Sequence, residues 1–135
     1  MSKELLFSVN VDSPMAVYAQ IENQIQFYIA AERLQPGDSV PSIREMSVML
    51  NVNQNTVAKA YRDLELMGLV NARRGVGVTV SDKAPRLCKS SVQKMVQDHL
   101  RNAVAECISA GLTPVDVRQI VTATIDSGSN PYQPS

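Results

Sequence analysis

The sequence predicts a mainly α chain with one small β hairpin, and three observations lead there. Residues 41–67 hold two short stretches of helical periodicity separated by the tight polar turn Asn51-Val52-Asn53. Residues 69–80 hold two β-branched runs around Arg73-Arg74-Gly75. Residues 90–126 then return to helical periodicity with a broad apolar face. Helix, turn, helix and hairpin in that order make a winged helix-turn-helix, here followed by a two-helix unit. The expected organisation is residues 1–80 for the winged helix-turn-helix, 81–89 for a linker, 90–126 for a helical dimerisation tail and 127–135 for a disordered end.

Each element has a local reason. Leu5 to Val11 alternates Leu5, Phe7, Val9 and Val11 against Leu6, Ser8 and Asn10, the pattern of a short arm or strand. Ser13-Pro14 reads as a capping hydroxyl followed by proline at the first helical position, where its missing N–H costs nothing. Tyr18, Ile21, Ile25, Tyr28 and Ile29 then recur at helical spacing, and Gln35-Pro36-Gly37-Asp38 turns the chain. Ser42-Ile43-Arg44-Glu45 is a capping box that opens the second helix, with Met46, Met49 and Leu50 as its inner side. The third helix runs from Asn53 or Gln54 to Met67 with Val57, Ala60, Tyr61, Leu64 and Met67 inward, and Gly68 stops it in the left-handed region. Gly75 and Gly77 supply the backbone freedom of the hairpin.

The linker contains Ala84-Pro85 and three basic residues. After it, with Ser90 or Ser91 as cap, Val92, Met95, Val96, Leu100, Ala103, Val104, Cys107 and Ile108 line one helix face. Gly111 ends that helix. Thr113-Pro114 starts another, whose apolar side is Val117, Ile120 and Val121.

Composition narrows the function. Thirteen basic residues balance thirteen acidic ones, so any affinity for an anionic partner must come from the placement of charge. No apolar run reaches the roughly 18 residues of a membrane helix, and Met1-Ser2-Lys3-Glu4 opens no signal-peptide core, so a cytosolic protein is expected. Cys88 and Cys107 read as free thiols, Cys107 as a small apolar residue within its stripe. His99 and Cys107 lie about two helical turns apart and Cys88 falls on the linker, so neither a metal site nor a cofactor is expected. The single histidine has only adjacent Asp98 beside it, and no helix follows Gly75-Val76-Gly77 as a phosphate loop requires. An enzyme is not expected.

The polar face of the third helix suits DNA. A recognition helix meets base edges through its first turn, where Gln54, Asn55 and Thr56 stand. An amide pairs with adenine N6 and N7 together, and threonine offers thymine a methyl contact. Asn55, Lys59 and Arg62 follow one another outward along the helix, the two cations toward phosphate or a guanine. Arg44 reaches the groove edge from the second helix, and Arg73, Arg74 and Gly75 at the hairpin tip suit a narrow minor groove.

These residues resemble the GntR family of bacterial transcription regulators. The resemblance runs over about residues 12 to 80, through Pro14…Tyr18-Ala19-Gln20-Ile21, Leu34-Gln35-Pro36-Gly37-Asp38 and Val40-Pro41-Ser42-Ile43-Arg44-Glu45. It continues through Val52-Asn53-Gln54-Asn55-Thr56-Val57, Ala60-Tyr61-Arg62-Asp63-Leu64-Glu65 and Gly68-Leu69-Val70…Arg74-Gly75-Val76-Gly77. It implies DNA contacts at Arg44, at Asn53 to Thr56 and at Arg74-Gly75. A common variant has arginine where this chain has Gln54, so base preference does not transfer. Valine at position 40 replaces a more usual leucine. Only about fifty-five residues follow the wing, too few for a large effector domain, and a two-helix tail of this kind is similar to the YtrA-like subfamily. That similarity implies a dimer and control of transporter genes.

Two tail helices cannot bury a broad apolar face by themselves, being shorter than the roughly 40 residues at which isolated domains become plausible. The tail therefore packs on the first domain or on another subunit. The favoured reading is a homodimeric regulator, a repressor for preference, on a pseudo-palindromic operator. The dimer contact is assigned to Val92, Met95, Val96, Leu100, Ala103, Val104, Cys107, Val117, Ile120 and Val121. The competing function is a winged helix reused for protein contacts without sequence-specific DNA binding. A compact apolar effector, in a groove between the tail helices or near Phe27, Tyr28 and Met95, is a minority alternative.

Overall fold

Ile21, Ile25, Tyr28 and Ile29 recur on one face of α1 (Val17–Ala30), and in the computed structural model that face is the floor of the core. The structure describes residues 5–128. Above α1 lie α2 (Ile43–Leu50), which contributes Met46, and α3 (Gln54–Leu66), which contributes Val57, Ala60, Tyr61 and Leu64. Leu34, Val40, Leu69, Val70 and Val80 complete the same core from the turn after α1 and from the strands.

The arm before α1 is extended, but its hydrogen bonds go to side chains. Gln24 brackets Ser8, accepting from its N–H at 3.0 Å and donating to its carbonyl at 2.6 Å. Gln20 does the same for Asn10 at 2.8 and 2.9 Å. Two buried amides thus stand in for a neighbouring strand, which satisfies the backbone that Phe7 carries under the core. The Phe7 ring meets the Tyr28 ring edge-on at 5.3 Å, and the Tyr28 hydroxyl donates to the Leu6 carbonyl.

Ser13-Pro14 does not start α1. Its residues form a turn instead: Ser13 N–H donates to the Asn10 carbonyl at 3.2 Å, and Gln20 Nε2 holds the Met15 carbonyl at 2.9 Å. The helix begins three residues after Pro14, at Val17, without a side-chain cap.

The wing is a hairpin of β2 (Val70–Arg73) and β3 (Gly77–Val80), with Arg73 opposite Gly77. A two-residue strand absent from the sequence reading, β1 (Ser39–Val40), pairs antiparallel with β3, giving the order β1-β3-β2. The capping box of α2 forms as expected, with Glu45 N–H on Ser42 Oγ at 3.0 Å. Met49 and Met67, both expected inward, are 50% and 43% exposed. Eight-residue α2 buries only Met46 and Ser47, and Met67 is the cap beyond α3.

The larger correction concerns residues 84–89, read as linker. They are the first turns of α4 (Ala84–Ser109), and Pro85 occupies the first turn, where no N–H is needed. Ala84, Cys88 and Val92, spaced by four, pack into the same core as α1, so Val92 is a core residue and not an interface one. The polar run Lys89-Ser90-Ser91 hid this continuity in the sequence. Ser91 caps nothing; its hydroxyl donates to the Leu87 carbonyl at 2.6 Å. Ser81 fastens the entry to α4, donating from Oγ to the Gly68 carbonyl at 2.6 Å.

Gly111 turns the chain at φ +101°, and α5 (Pro114–Ser127) folds back along the outer half of α4 with Val117 buried. Thr113 and Asp116 form its capping box. Gly128 ends it in the left-handed region. Of the expected disordered end, residues 129–135 lie outside the described residues.

Val92→Asp should lower stability by about 3 kcal/mol, because it places an unpaired carboxylate in the core. Gln93→Asp, on the exposed side of the same turn, should stay within about 0.5 kcal/mol. Urea unfolding of the two variants checks this; equal effects would place the first half of α4 outside the core.

Candidate nucleic-acid interface

Asn51 adopts the left-handed conformation at φ +55°, which lets α2 stop and the chain reverse in two residues. Asn53 then caps α3, its Oδ1 accepting from Asn55 N–H at 2.7 Å. One lone pair of that oxygen is engaged in the cap, which fixes the side chain and leaves its second lone pair and its amide N–H groups for a ligand. Gln54 and Asn55 stand exposed in the first turn, while Thr56 is half-buried against the body of the head. No acidic residue occupies that turn, so the positive end of the helix dipole is not neutralised by its own first-turn residues.

Arginines flank this tip. Arg44 is exposed on the first turn of α2, Arg62 on the outer face of α3, and Arg73 and Arg74 at the wing, where Gly75 (φ +81°) makes the turn. Among the described residues no ion pair engages any of the four. An exposed polar helix tip, with exposed arginines on α2, α3 and the wing that form no ion pair among the described residues, suits an anion larger than one phosphate.

Lys59 does not join them. Its Nζ lies 3.3 Å from Asp63 Oδ2 and 4.6 Å from the centre of the Tyr18 ring, so it turns toward α1 and not outward beside Arg62. Beside it, Glu22 Oε2 is shielded from solvent and, among the described residues, receives no hydrogen bond. Burial foremost, then a proton shared with the Asp63 carboxyl and that carboxyl's charge, push Glu22 up to about 7, while Lys59 pulls it down. An acidic pair thus joins α1, through Glu22, to α3, through Asp63.

Two contacts of α3 had no clear sequence signal. Tyr61 donates its hydroxyl to the Pro41 carbonyl at 2.5 Å, and Glu65 Oε2 accepts from Ala72 N–H at 2.9 Å. Tyr61 was legible only as a core ring; its polar tip needs a partner when buried, which was the available hint. Its phenol is held above the ordinary tyrosine range by burial and then by the Glu45 charge, so it stays a donor.

In the tail, Leu100 and Ile120 are 56% and 51% exposed, Val96, Ala103 and Ile125 are exposed too, and Met95, Val104, Cys107 and Val121 are half-buried. Between α4 and α5 runs an apolar groove of about 390 Å³ edged by Leu100, Cys107, Ile120 and Ile125. Cys88, by contrast, is buried in the core, and that burial pushes its thiol up to about 11, away from thiolate chemistry.

Residues 17–80, the stretch from α1 to β3, match the model of the bacterial regulatory proteins of the gntR family. An uncharacterized HTH-type transcriptional regulator, YhcF of Bacillus subtilis, is 31% identical over 116 residues, covering 86% of this chain and 95% of the relative. The chain belongs to the GntR family. A second Bacillus subtilis relative, the HTH-type transcriptional repressor YtrA, is 29% identical over 107 residues, 79% of this chain and 82% of its own. This GntR regulator is accordingly YtrA-like. Among solved structures, a transcriptional regulator from Oenococcus oeni superposes with a TM-score of 0.60 at 28% identity, covering 87% of this chain and 97% of its own. The DNA-binding domain of AraR in complex with operator ORX1 superposes with a TM-score of 0.50 at 25% identity, over 58% of this chain and 100% of its own. GntR proteins are DNA-binding transcription regulators and not enzymes. Among the described residues no helix is long and apolar enough to cross a membrane.

The Glu22 shift fixes a pH dependence. The folded-state value of about 7 lies above the ordinary 4.5, so the stability cost is absent below about pH 4.5, grows between 4.5 and 7, and is complete above 7. Glu22→Gln should therefore stabilise the protein at pH 8 by about 1–2 kcal/mol, a value below the full shift because the group keeps some solvent access. It should have no effect at pH 4. Thermal unfolding across this range checks the sign; a Glu22→Gln chain less stable at pH 8 than the wild type contradicts it.

Proposed function

We propose that this GntR regulator is a homodimeric repressor that reads a pseudo-palindromic operator, with transporter genes as the class controlled. The observation that carries the reading is the exposed first turn of α3, bearing Gln54 and Asn55 between the unpaired Arg44 and Arg74. Gln54 and Asn55 meet base edges in the major groove, with Thr56 and Asn53 in supporting contact. Arg44 and Arg62 neutralise phosphates, and Arg73, Arg74 and Gly75 enter the adjacent minor groove. Lys59, half exposed in a surface pair with Asp63, exchanges that weak pair for a phosphate beside Arg62.

A chain with no net charge has little general attraction for DNA, so useful affinity requires two heads. The apolar groove of α4 and α5 supports pairing through Leu100, Val104, Cys107, Ile120 and Val121. Met95, Val96, Ala103 and Val117 belong to the same contact by continuity along the two helices. Paired heads then address half-sites about 34–36 Å apart. Repression is supported by the printed name of the YtrA relative, and transporter control by family resemblance.

Duplexes selected by the protein from random-sequence DNA, followed by a salt titration of binding, test this. A regulator of this kind should select one inverted repeat and lose affinity as salt rises; a protein-docking module would do neither. Asn55→Ala should change preference at one base position by about 1–3 kcal/mol with the fold intact. Leu100→Asp should give monomers by light scattering and lose most operator binding. A Leu100→Asp chain that remains dimeric moves the contact elsewhere.

A further inference from the structure

We propose that Tyr61 and Glu65 are positioning residues for DNA recognition. From adjacent turns of α3 they fasten the start of α2 and the edge of the wing to the recognition helix. Arg44 and Arg74 then meet one duplex in fixed register with Gln54 and Asn55. The inference rests on the proposed reading of those four residues as DNA contacts.

The Tyr61 hydroxyl donates to the Pro41 carbonyl, immediately before the α2 cap Ser42 and three residues before Arg44. Tyr61 is only 5% exposed, so water cannot readily take the place of that bond. Glu65 Oε2 accepts from Ala72 N–H, two residues before Arg74. Ala72 lies on β2, the edge strand of the sheet, where an N–H facing away from β3 has no ladder partner. Tyr61 and Glu65 are four residues apart and so lie on neighbouring turns of one side of the helix.

Core packing accounts for neither bond. Phenylalanine at position 61 would fill the same volume, and Glu65 is exposed and buries nothing. The capping box stiffens α2 internally and the strand ladder stiffens the wing internally. The two side chains of α3 add what those devices lack, a tie from each arginine-bearing element to the helix whose tip reads bases. Without the ties, α2 and the wing keep their shape and their core packing, but the ends that carry Arg44 and Arg74 are held less closely to α3. An arginine contact displaced by about 1 Å loses much of its bidentate geometry.

The test is a pair of double-mutant cycles on the full chain, read by fluorescence anisotropy with a duplex selected by the wild-type protein. Tyr61→Phe should weaken binding about 3–10-fold, the loss of one buried hydrogen bond, with the thermal midpoint lowered by only a few degrees. In that background Arg44→Ala should cost correspondingly less than in the wild type, whereas in a Glu65→Ala background it should keep its full effect. The mirror pattern is expected for Arg74→Ala, coupled to Glu65→Ala and indifferent to Tyr61→Phe. Glu65→Gln, whose carboxamide oxygen still accepts from Ala72, should bind like the wild type.

Arg44→Ala and Arg74→Ala that each weaken binding but add independently to Tyr61→Phe and Glu65→Ala would overturn the inference and leave the DNA-contact reading standing. Arg44→Ala and Arg74→Ala that leave affinity unaltered would overturn both. Should Tyr61→Phe fail to fold, the Glu65 cycle and its glutamine rescue decide the matter.

Discussion

The reading head depends on the burial of one face of α3. Val57, Ala60, Tyr61 and Leu64 are held between α1, α2 and the strands, and that packing leaves Gln54, Asn55 and Arg62 no choice but to face outward. Burying four such side chains contributes on the order of several kcal/mol, against about 1 kcal/mol for a single cap. The inner face therefore sets where the helix lies, and the Asn53 cap and Asn51 turn set only where it begins. Beyond that cap, exposed Gln54 and Asn55 bury nothing and have no packing role in the fold.

The same core recruits α4. Ala84, Cys88 and Val92 belong to it, so the helix that closes the head continues without a break into the tail. A helix of 26 residues spans about 39 Å and bends little, whereas a flexible linker of nine would have let each head wander. In the proposed dimer this makes half-site spacing a property of a helix, and it explains why an apolar groove placed far along α4 can govern how the heads meet DNA.

Most of the head was legible in the sequence because its signals are local. The Ser42 capping box, the Gly68 stop, the glycine hairpin and the inward stripe of α3, save its last member Met67, each follow from neighbouring residues and stand where expected. What escaped was decided by contacts distant in sequence. Lys59 points outward by its spacing, yet its Nζ leans toward Tyr18 and Asp63, partners that the spacing alone does not show. Gln20 and Gln24 look like solvated residues, yet they are buried to hold the arm. Lys89-Ser90-Ser91 looks like a break, yet one apolar residue per turn keeps α4 on the core. Polar side chains that serve the backbone of another segment leave no periodic trace.

Hydroxyl-radical footprinting of the full-length protein on a duplex it has selected tests the central claim most directly, because it reports how both heads sit on the helix at once. The account predicts two protected stretches about one helical turn apart on the same face of the duplex, each extending into the minor groove beside its half-site. A single protected stretch, or two on opposite faces, would contradict it.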